Sequence, residues 1–287
     1  MSPLVSDYLI LTKVRITALV LVTAATGFLL GSGDGVDLPL LIWTLLGTGL
    51  AASGAAALNQ VLERSVDARM QRTAGRPIPA GRMSASHGMA VGIALSLAGV
   101  GVLAALVNPL TAALGALTVV LYVGVYTPLK RMTTLNTIVG AVPGAIPPVM
   151  GWTAASGTLG VPAGVLFAIL FLWQLPHFLA IAWIFRDDYR RGGFPMLPVI
   201  DPEGRTTGHQ VALYCAALIP VSLLPTFLGL TGSTYFFGAL VLGLVFLGFG
   251  LRMARHRRGR EARGVLLASV TYLPLLLALL VIDRGPV

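Results

Sequence analysis

The stretch GTGLAASGAAALNQVLERSVDARMQRTAGRPIPAGR, residues 47–82, begins as a run of small apolar residues and ends in a dense group of charges. Its first part is suited to a closely packed membrane helix, because Gly, Ala and Ser let neighbouring helices approach. Its second part places Asn59, Glu63 and Asp67 at steps of four residues and then adds several arginines. The stretch therefore predicts a membrane helix whose end carries a polar site.

The composition of the whole chain also indicates a membrane protein. Of its 287 residues, 56% are hydrophobic and 11% are charged, whereas soluble domains carry about 25% charged residues. A chain of this size has no core large enough to bury so much apolar surface. The bilayer is therefore the expected solvent, and a soluble fold is disfavoured.

Nine apolar segments are long enough to cross a bilayer, which takes about 20 helical residues. They are residues 15–33, 39–60, 86–106, 109–127, 135–155, 161–184, 210–229, 233–251 and 264–282. We predict an all-α, polytopic membrane bundle of nine transmembrane helices, formed by residues 1–287 as a single domain. Two long polar loops, 61–85 and 185–209, follow the second and sixth spans, which suggests two four-helix halves plus one further helix.

The basic residues are distributed unevenly between the two sides of this bundle. Nineteen of the twenty Lys and Arg residues fall on one side, and only Arg284 falls on the other. Cytoplasmic loops carry such an excess of positive charge. We therefore expect an integral, multi-pass protein of the plasma (inner) membrane, with its N-terminus in the cytoplasm and its C-terminus outside. The net charge of +9 follows from this orientation and from anionic headgroups, so no nucleic-acid partner is expected.

The first residues and the cysteine content point to no other class of protein. Residues 1–21, MSPLVSDYLILTKVRITALVL, lack a cationic start and a cleavage site, so neither a signal peptide nor a transit peptide is predicted. Cys215 is the only cysteine and lies in an apolar run. We expect it to be a small packing residue.

The fifth predicted span is rich in Gly and Pro. Residues 140–151 read GAVPGAIPPVMG and contain Pro143, Pro147 and Pro148. These prolines predict a broken or kinked helix, because irregular backbone is tolerated in a membrane where it lines a cavity. Ordinary packing of tolerated prolines is an equal alternative.

Asn59, Glu63 and Asp67, here called the ladder, form the first candidate site. Steps of four residues advance 400° around a helix, so the three side chains share one face over about 12 Å. Carboxylates on one face repel each other unless a cation joins them, and Mg²⁺ binds such oxygens together with substrate phosphates. A solvated helix end is the alternative, but the arginines of residues 64–82 are well suited to phosphate binding.

A second group of the same composition follows the sixth span. In WQLPHFLAIAWIFRDDYRRGGFPMLPV, residues 173–199, Asp187 and Asp188 precede Arg190 and Arg191. Two such groups converging across a bundle predict a two-metal or metal-plus-arginine clamp on a diphosphate. A diphosphate at a membrane surface implies a lipid-tailed donor, whose ionisation gives an allylic cation that needs a dry, aromatic pocket. Candidates for the walls of that pocket are Tyr126, Trp152, Trp173, Phe178 and Trp183.

These motifs resemble those of the intramembrane aromatic prenyltransferases, the UbiA superfamily. The resemblance extends from about residue 10 to residue 280, and its most specific part is similar to the branch that farnesylates protohaem. It implies a nine-helix bundle that transfers the farnesyl group of farnesyl diphosphate to a vinyl group of protohaem IX, with addition of water, giving haem O and diphosphate. The segments that carry the resemblance are NQVLERSVDARMQRT…RPIPAGR (59–82), YTPLKR (126–131), NTIVGAVPGAIPPVMGW (136–152) and LPHFLAIAWIFRDDYRRGGFPMLPV (175–199).

Two departures from the superfamily pattern affect the site. The superfamily usually has Asp at the position of Glu63, and its second motif usually has two aspartates four residues apart. Here Asp187 and Asp188 are adjacent, and residue 192 is Gly. Adjacent side chains on a helix point about 100° apart, so both reach one metal only if the helix has ended. The sequence DDY is nevertheless typical of the haem branch rather than of the quinone-type relatives.

The resemblance implies the following cofactor, site residues and partners. The cofactor is Mg²⁺, held first by the ladder residues and at a second position by Asp187 and Asp188, which together are the expected catalytic groups. Haem A synthase or terminal-oxidase assembly proteins are the implied protein partners. The implied diphosphate partners are Arg15, Arg72, Arg76, Lys130, Arg131 and Arg191.

His177 stands inside the sixth span, directly after Pro176. Ionisable residues within the membrane are costly and are therefore candidates for function. On a continuous helix His177 and Asp188 share one stripe and lie about 16 Å apart. We expect His177 to ligate or hydrogen-bond the haem, with a neutral histidine bonded to a neighbouring carbonyl as the alternative.

Two other functions are compatible with parts of the pattern. A prenyltransferase acting on a quinone precursor or another lipid acceptor would share the same diphosphate site. A transporter would also have internal repeats and broken helices. Transporters need polar groups near the middle of the bilayer, whereas most carboxylates here lie toward one face, so the transporter is the weaker alternative.

Overall fold

A computed structural model describes residues 3–33 and 35–285 of the chain. Nine helices within these ranges are long and apolar enough to cross a membrane, as predicted. The helical elements are α1 (Pro3–Leu11), α2 (Val14–Gly31), α3 (Leu38–Asp67), α4 (Ala85–Leu106), α5 (Pro109–Val120), a π-helical turn (Leu121–Tyr126), α6 (Thr127–Leu129), α7 (Asn136–Ser156), α8 (Val161–Ile184), α9 (Arg186–Gly192), α10 (Leu197–Ile200), α11 (Arg205–Phe227), α12 (Ser233–His256) and α13 (Gly259–Ile282).

The spanning helices pack in the predicted two halves plus one. The first half comprises α2, α3, α4 and the α5–α6 segment, and the second comprises α7, α8, α11 and α12. Helix α7 joins the halves through its contacts with α2, α5 and α3, while α13 packs against α8, α12 and α2. Apolar side chains such as Leu97 (69% exposed) and Phe237 (64% exposed) face outward, as expected where lipid is the solvent.

Several helices extend beyond the apolar segments from which they were predicted. Helix α3 continues to Asp67 rather than ending at residue 60, so the whole ladder is helical. Helices α11 and α13 begin at Arg205 and Gly259, each earlier than predicted. Hydropathy detects only the part of a helix that crosses the hydrocarbon, and the polar turns that continue it outside go undetected.

The Pro-rich fifth span is not broken, so the equal alternative of ordinary proline packing applies. Helix α7 runs continuously through Pro143, Pro147 and Pro148, all of which are buried. It packs against α2, α5 and α8, and neighbouring helices can compensate the backbone groups that proline leaves without a partner. The irregular backbone lies instead in the fourth span, as the π-helical turn at Leu121–Tyr126.

Small residues bring the helices of the two halves into backbone contact. A methyl group added at Gly151 of α7 would overlap the carbonyl oxygen of Ala24, and one added at Gly27 of α2 would overlap that of Pro148. Such close approach is typical of membrane helices that present Gly to each other. The α2–α7 contact therefore fixes the relative position of the two halves.

Candidate active site

The ladder is buried at the end of α3. Asn59 and Glu63 are 2% exposed and Asp67 is fully buried. A solvated helix end is therefore excluded. Polar and charged groups with so little water around them need partners. Each residue of the ladder, here called a rung, has a partner from outside α3.

Asn59 is held by a network that includes the π-helical turn. Lys13 Nζ donates hydrogen bonds to Asn59 Oδ1 (3.0 Å) and to the hydroxyl of Tyr122 (3.2 Å). The amide Nδ2 of Asn59 donates to Thr127 Oγ1 (3.1 Å), which donates to the Tyr122 carbonyl (2.8 Å). π-helical turns are frequent at functional sites, and this one supplies the Tyr122 phenol to Lys13 and the Tyr122 carbonyl to Thr127.

Lys13 is a site residue that the sequence reasoning missed. It lies between α1 and α2 in the left-handed region, with a φ of 50°, which is uncommon for a residue other than glycine. Arg15, which the resemblance suggested, is exposed at the start of α2. The only signal in the sequence was the presence of two basic residues, and their spacing could not indicate which of them reaches the ladder.

Glu63 forms a buried ion pair with Lys130, whose Nζ lies 3.2 Å from Glu63 Oε1. The ammonium also lies over the rings of Phe194 (4.5 Å from the centroid) and Tyr126 (5.9 Å). Lys130 follows α6 directly, so the fourth span delivers its cation to the second rung. Removing either member of such a pair would leave an uncompensated buried charge.

Asp67 has one oxygen paired and one without a partner. Arg76 Nη1 lies 2.6 Å from Asp67 Oδ2, and Thr73 Oγ1 donates to the Asp67 carbonyl (3.0 Å). Among the described residues, no hydrogen-bond partner exists for the buried Asp67 Oδ1. Buried oxygens are rarely left in this state, and a carboxylate oxygen that lacks a donor is a suitable ligand for a hard cation such as Mg²⁺.

The second motif is hydrogen-bonded directly to the loop that follows the ladder. Asp188 accepts bonds from the backbone N–H groups of Gln71 (2.9 Å) and Arg72 (3.2 Å), and Arg191 Nη2 donates to it as well. Burial alone would raise the pKa of Asp188, but the bonds from Arg191 and from the two N–H groups outweigh it and lower that pKa. The structure thus brings the two predicted motifs together.

The helix that carries the second motif is not continuous, so the predicted stripe from His177 to Asp188 is wrong. Helix α8 ends at Ile184, Phe185 leaves the helical region at φ −107° and ψ 24°, and α9 begins at Arg186. The distance of about 16 Å that a single helix would give therefore does not apply. The change of direction turns Asp188 toward the 68–84 loop.

Asp187 lies outside the group formed by the ladder and Asp188. Its side chain is 67% exposed and pairs with Arg190 at 2.8 Å. Because Asp187 and Asp188 are adjacent in α9, their side chains point in different directions. Within the described residues, no cluster of three or more His, Cys, Asp or Glu side chains is assembled to hold a metal ion.

Four of the six predicted diphosphate partners lie at this site. Arg76, Lys130 and Arg191 pair with its carboxylates. Arg72 donates to the Tyr189 hydroxyl (3.0 Å) and its guanidinium lies 5.0 Å from the Phe185 ring centroid.

The other two lie apart from it. Arg131 is exposed and donates to the Leu62 carbonyl (3.0 Å), and Arg15 is the exposed residue described above. With Lys13, the structure therefore gathers five cations around the ladder and Asp188. Such a group can neutralise a polyanion once the carboxylates are shared with metal.

His177 lies in the interior of α8, facing α13. Its Nδ1 is 2.7 Å from Ser269 Oγ, and its ring is stacked on Trp173 with centroids 5.1 Å apart. Trp173 Nε1 donates to the Ser269 carbonyl (2.9 Å). The partner of His177 is thus a hydroxyl rather than the carbonyl considered as an alternative, and it belongs to the ninth span.

The family to which this fold and these motifs belong is established by comparison with known proteins. The model of the UbiA prenyltransferase family matches residues 20–279. The chain belongs to the UbiA prenyltransferase family. Within this family it is 51% identical to the protoheme IX farnesyltransferase of Solibacter usitatus, over 97% of this chain and 98% of that one. It is 48% identical to the protoheme IX farnesyltransferase of Koribacter versatilis, over 99% and 94% of the two chains.

Solved structures of UbiA homologues share the fold. The apo structure of a homologue from Aeropyrum pernix K1 superposes with a TM-score of 0.74 at 21% identity, over 93% of this chain and 97% of that one. A homologue from Archaeoglobus fulgidus bound to GPP and Mg²⁺ gives a TM-score of 0.69 at 14% identity, over 96% and 99%. At these identities the likeness concerns the fold alone.

Proposed function

We propose that this chain transfers the farnesyl group of farnesyl diphosphate to a vinyl group of protohaem IX, with addition of water, to give haem O and diphosphate. Membership of the UbiA prenyltransferase family and the identities to protoheme IX farnesyltransferases support this reaction. The observation that carries it is the direct bonding of Asp188 to the backbone of Gln71 and Arg72. That contact holds Asp188 against the loop that follows the ladder, which supports a shared site for a diphosphate.

The described residues fit a divalent cation in one respect. Asp67 Oδ1 is buried without a partner, and the other ladder oxygens are of the kind that Mg²⁺ prefers. We place the metal on Asn59, Glu63 and Asp67, with Asp188 serving a second position. When bound, Mg²⁺ stabilises negative charge that develops on the leaving diphosphate. Asp187 joins this set only if it exchanges Arg190 for the metal, because the pair now holds it at the surface.

The cations of the site have a double role in this proposal. In the structure, Lys130 and Arg76 pair with the two ladder carboxylates, and Lys13 donates to the neutral amide of Asn59. With Mg²⁺ held by Asn59, Glu63 and Asp67, these three cations would be available to donate to phosphate oxygens. Arg72 and Arg191 approach from the 68–84 loop and α9. Arg15 and Arg131 remain candidates for the same role at the rim.

The chemistry balances as an ionisation followed by two additions. The bond between farnesyl C1 and the diphosphate oxygen breaks, and its electron pair leaves with the diphosphate. The vinyl π electrons of protohaem form the new bond to C1, which leaves a cation at the carbon next to the porphyrin ring. Water adds there and releases one proton. Exclusion of water until the first bond has formed is the task of the apolar bundle.

The location and partners of the chain follow from the same proposal. We place the N-terminus and the motif loops in the cytoplasm and the C-terminus outside the plasma (inner) membrane, because nineteen of the twenty Lys and Arg residues fall on the motif side. Haem A synthase or terminal-oxidase assembly proteins are the partners that would receive haem O.

The experiment is a pigment assay in a host that lacks haem O. Membranes containing the full chain are incubated with farnesyl diphosphate, Mg²⁺ and either protohaem or 4-hydroxybenzoate, and the products are separated by mass spectrometry. We expect haem O from protohaem, its loss on addition of EDTA, and its recovery with Mg²⁺. Prenylated 4-hydroxybenzoate without haem O would instead favour a quinone-type enzyme. Undiminished turnover by the Asp67→Asn, Asp188→Asn double variant would contradict the proposed site.

A further inference from the structure

We infer that Ser269 fixes the tautomer of His177 and thereby leaves His177 Nε2 as an axial ligand for the iron of the protohaem substrate. The inference rests on the proposed function, since it concerns how the acceptor is held. It assigns a ligating role to one residue and a positioning role to another that lies on the ninth span. No motif in the sequence indicated Ser269.

The hydroxyl of Ser269 has a single proton to donate. Ser269 Oγ lies 2.6 Å from the carbonyl oxygen of Leu266 and 2.7 Å from His177 Nδ1. A carbonyl oxygen can only accept, so the first contact is a hydrogen bond only if the serine proton points to Leu266. The second contact then requires His177 Nδ1 to be the donor. If the serine proton pointed to His177 instead, Ser269 Oγ and the Leu266 carbonyl oxygen would face each other at 2.6 Å with no proton between them.

The protonation of Nδ1 decides the state of the other ring nitrogen. A neutral imidazole carries one proton, so a proton on Nδ1 leaves the lone pair of Nε2 available. Within the described ranges, Nε2 of His177 has no hydrogen-bond partner, and the residue is only partly buried. Metal-ligating histidines typically donate their other N–H to a fixed acceptor, which sets the tautomer and the ring orientation. The two hydrogen bonds from His177 Nδ1 to Ser269 Oγ and from Ser269 Oγ to the Leu266 carbonyl, here called the relay, have this form.

Two further contacts immobilise the ring. Trp173 stacks on His177 with an interplanar angle of 24°, and its own Nε1 donates to the Ser269 carbonyl. Phe178 packs on the ring from a tilted position, 5.8 Å between centroids. The same serine thus holds the imidazole through its hydroxyl and the stacked indole through its carbonyl.

His177 lies in a part of α8 that neighbouring helices enclose. Helix α8 packs against α7, α11 and α13 and carries no exposed side chain from Val165 to Ile184. An imidazole is costly at such depth without a function. Coordination of the iron would fix the centre of the porphyrin, so that only rotation about the Nε2–iron axis remains for choosing which vinyl group reacts.

The test compares two porphyrins that differ only in the metal. The purified full chain is titrated with ferric protohaem and, separately, with metal-free protoporphyrin IX. For His177→Ala we expect protohaem affinity to fall by about 10–100-fold with a shift of the Soret band, while protoporphyrin affinity stays within about twofold. Equal losses for both porphyrins would mean that His177 contributes packing alone, and an unchanged protohaem spectrum would overturn the ligand role.

The role of Ser269 is tested with a matched hydroxyl on the same helix. Thr271 also donates to a backbone carbonyl, that of Leu267, but it is exposed and does not contact His177. Ser269→Ala should weaken protohaem binding by about 10-fold and shift its Soret band, leave protoporphyrin binding unchanged, and recover with Ser269→Thr. Thr271→Ala should change none of these. A Ser269→Ala protein with the wild-type haem spectrum would contradict the relay.

Failure of this inference can be distinguished from failure of the proposed function. If the wild-type chain makes haem O but His177→Ala keeps the wild-type haem spectrum, only the inference fails. If the wild-type chain makes no haem O and binds neither porphyrin, the function itself fails.

Discussion

The ammonium of Lys13 lies 3.0 Å from the amide oxygen of Asn59, at the deepest rung of the ladder. This hydrogen bond joins the residue that precedes α2 to the polar end of α3. It also explains why a lysine is held in a left-handed backbone conformation, which is sparsely populated for residues with a side chain. The inner end of the ladder thus accepts a hydrogen bond from a cation two positions before the arginine that the resemblance had suggested.

The first prediction concerns Lys13 and Arg15. Lys13→Met should lower kcat/KM for farnesyl diphosphate by about 10²-fold, because a single well-placed donor to developing charge contributes that much. Arg15→Met should change it by less than about threefold, since Arg15 is exposed. Initial rates in membranes, with protein amount normalised by immunoblot, measure both. A larger loss in the Arg15 variant would reverse the assignment.

The second prediction concerns the contact between the two motifs. Asp188→Asn should loosen the 68–84 loop, because a neutral amide accepts more weakly from Gln71 N–H, Arg72 N–H and Arg191 than a carboxylate does. Hydrogen exchange of the Gln71 and Arg72 amides should accelerate. Asp187→Asn is the matched control, since the Asp187 carboxylate is adjacent in sequence but exposed, and it pairs with Arg190. Equal acceleration in both variants would place the effect in α9 as a whole.

The third prediction is a dependence of this contact on pH. The pKa of Asp188 is lowered in the folded chain, below an ordinary Asp value of about 3.9. The stabilisation is therefore fully present above that ordinary value and is lost as the pH falls through the lowered pKa. Exchange protection of Gln71, corrected for the intrinsic rate, should remain constant down to about pH 4 and then decline. A decline that begins near neutral pH, or that persists in Asp188→Asn, would contradict this origin.

The fourth prediction concerns the contact between the two halves. Gly151→Ala should destabilise the protein by about 1–3 kcal/mol, because the added methyl group would overlap the Ala24 carbonyl oxygen, a backbone atom that cannot move away freely. Gly164→Ala in α8 is the control, since its methyl group would meet open space. The temperature of thermal unfolding in detergent should be lower for Gly151→Ala than for the wild type, and unchanged or higher for Gly164→Ala. The reverse order would exclude backbone contact at this crossing.

Features of the fold that depend on local sequence were predictable. The nine spans follow from hydropathy, and the shared face of Asn59, Glu63 and Asp67 follows from helical periodicity, which their common burial bears out. Each is a property of one contiguous segment. Their boundaries were less accurate, because polar turns continue a helix such as α3 without any apolar signal.

Features that depend on contacts between distant segments were not predictable. Lys13 and Asn59 are 46 positions apart, and His177 and Ser269 are 92 positions apart. The break at Phe185 also escaped prediction, because residues 177–191 contain no Gly or Pro to mark a helix end. Similarly, α7 contains three prolines and stays continuous, because the neighbouring spans rather than its own sequence decide its geometry.

The partners of the ladder lie at very different distances along the sequence. This affects the order in which they become available while the chain is synthesised. Asp67 pairs with Arg76, nine positions later in the chain. Glu63 pairs with Lys130, which is synthesised 67 positions later. Until the fourth span has been threaded into the membrane, a nascent protein carries a bare acid at the base of its second span, where isolated charge is unfavourable. A chain stopped before residue 130 therefore lacks the cation that pairs with Glu63 in the folded protein.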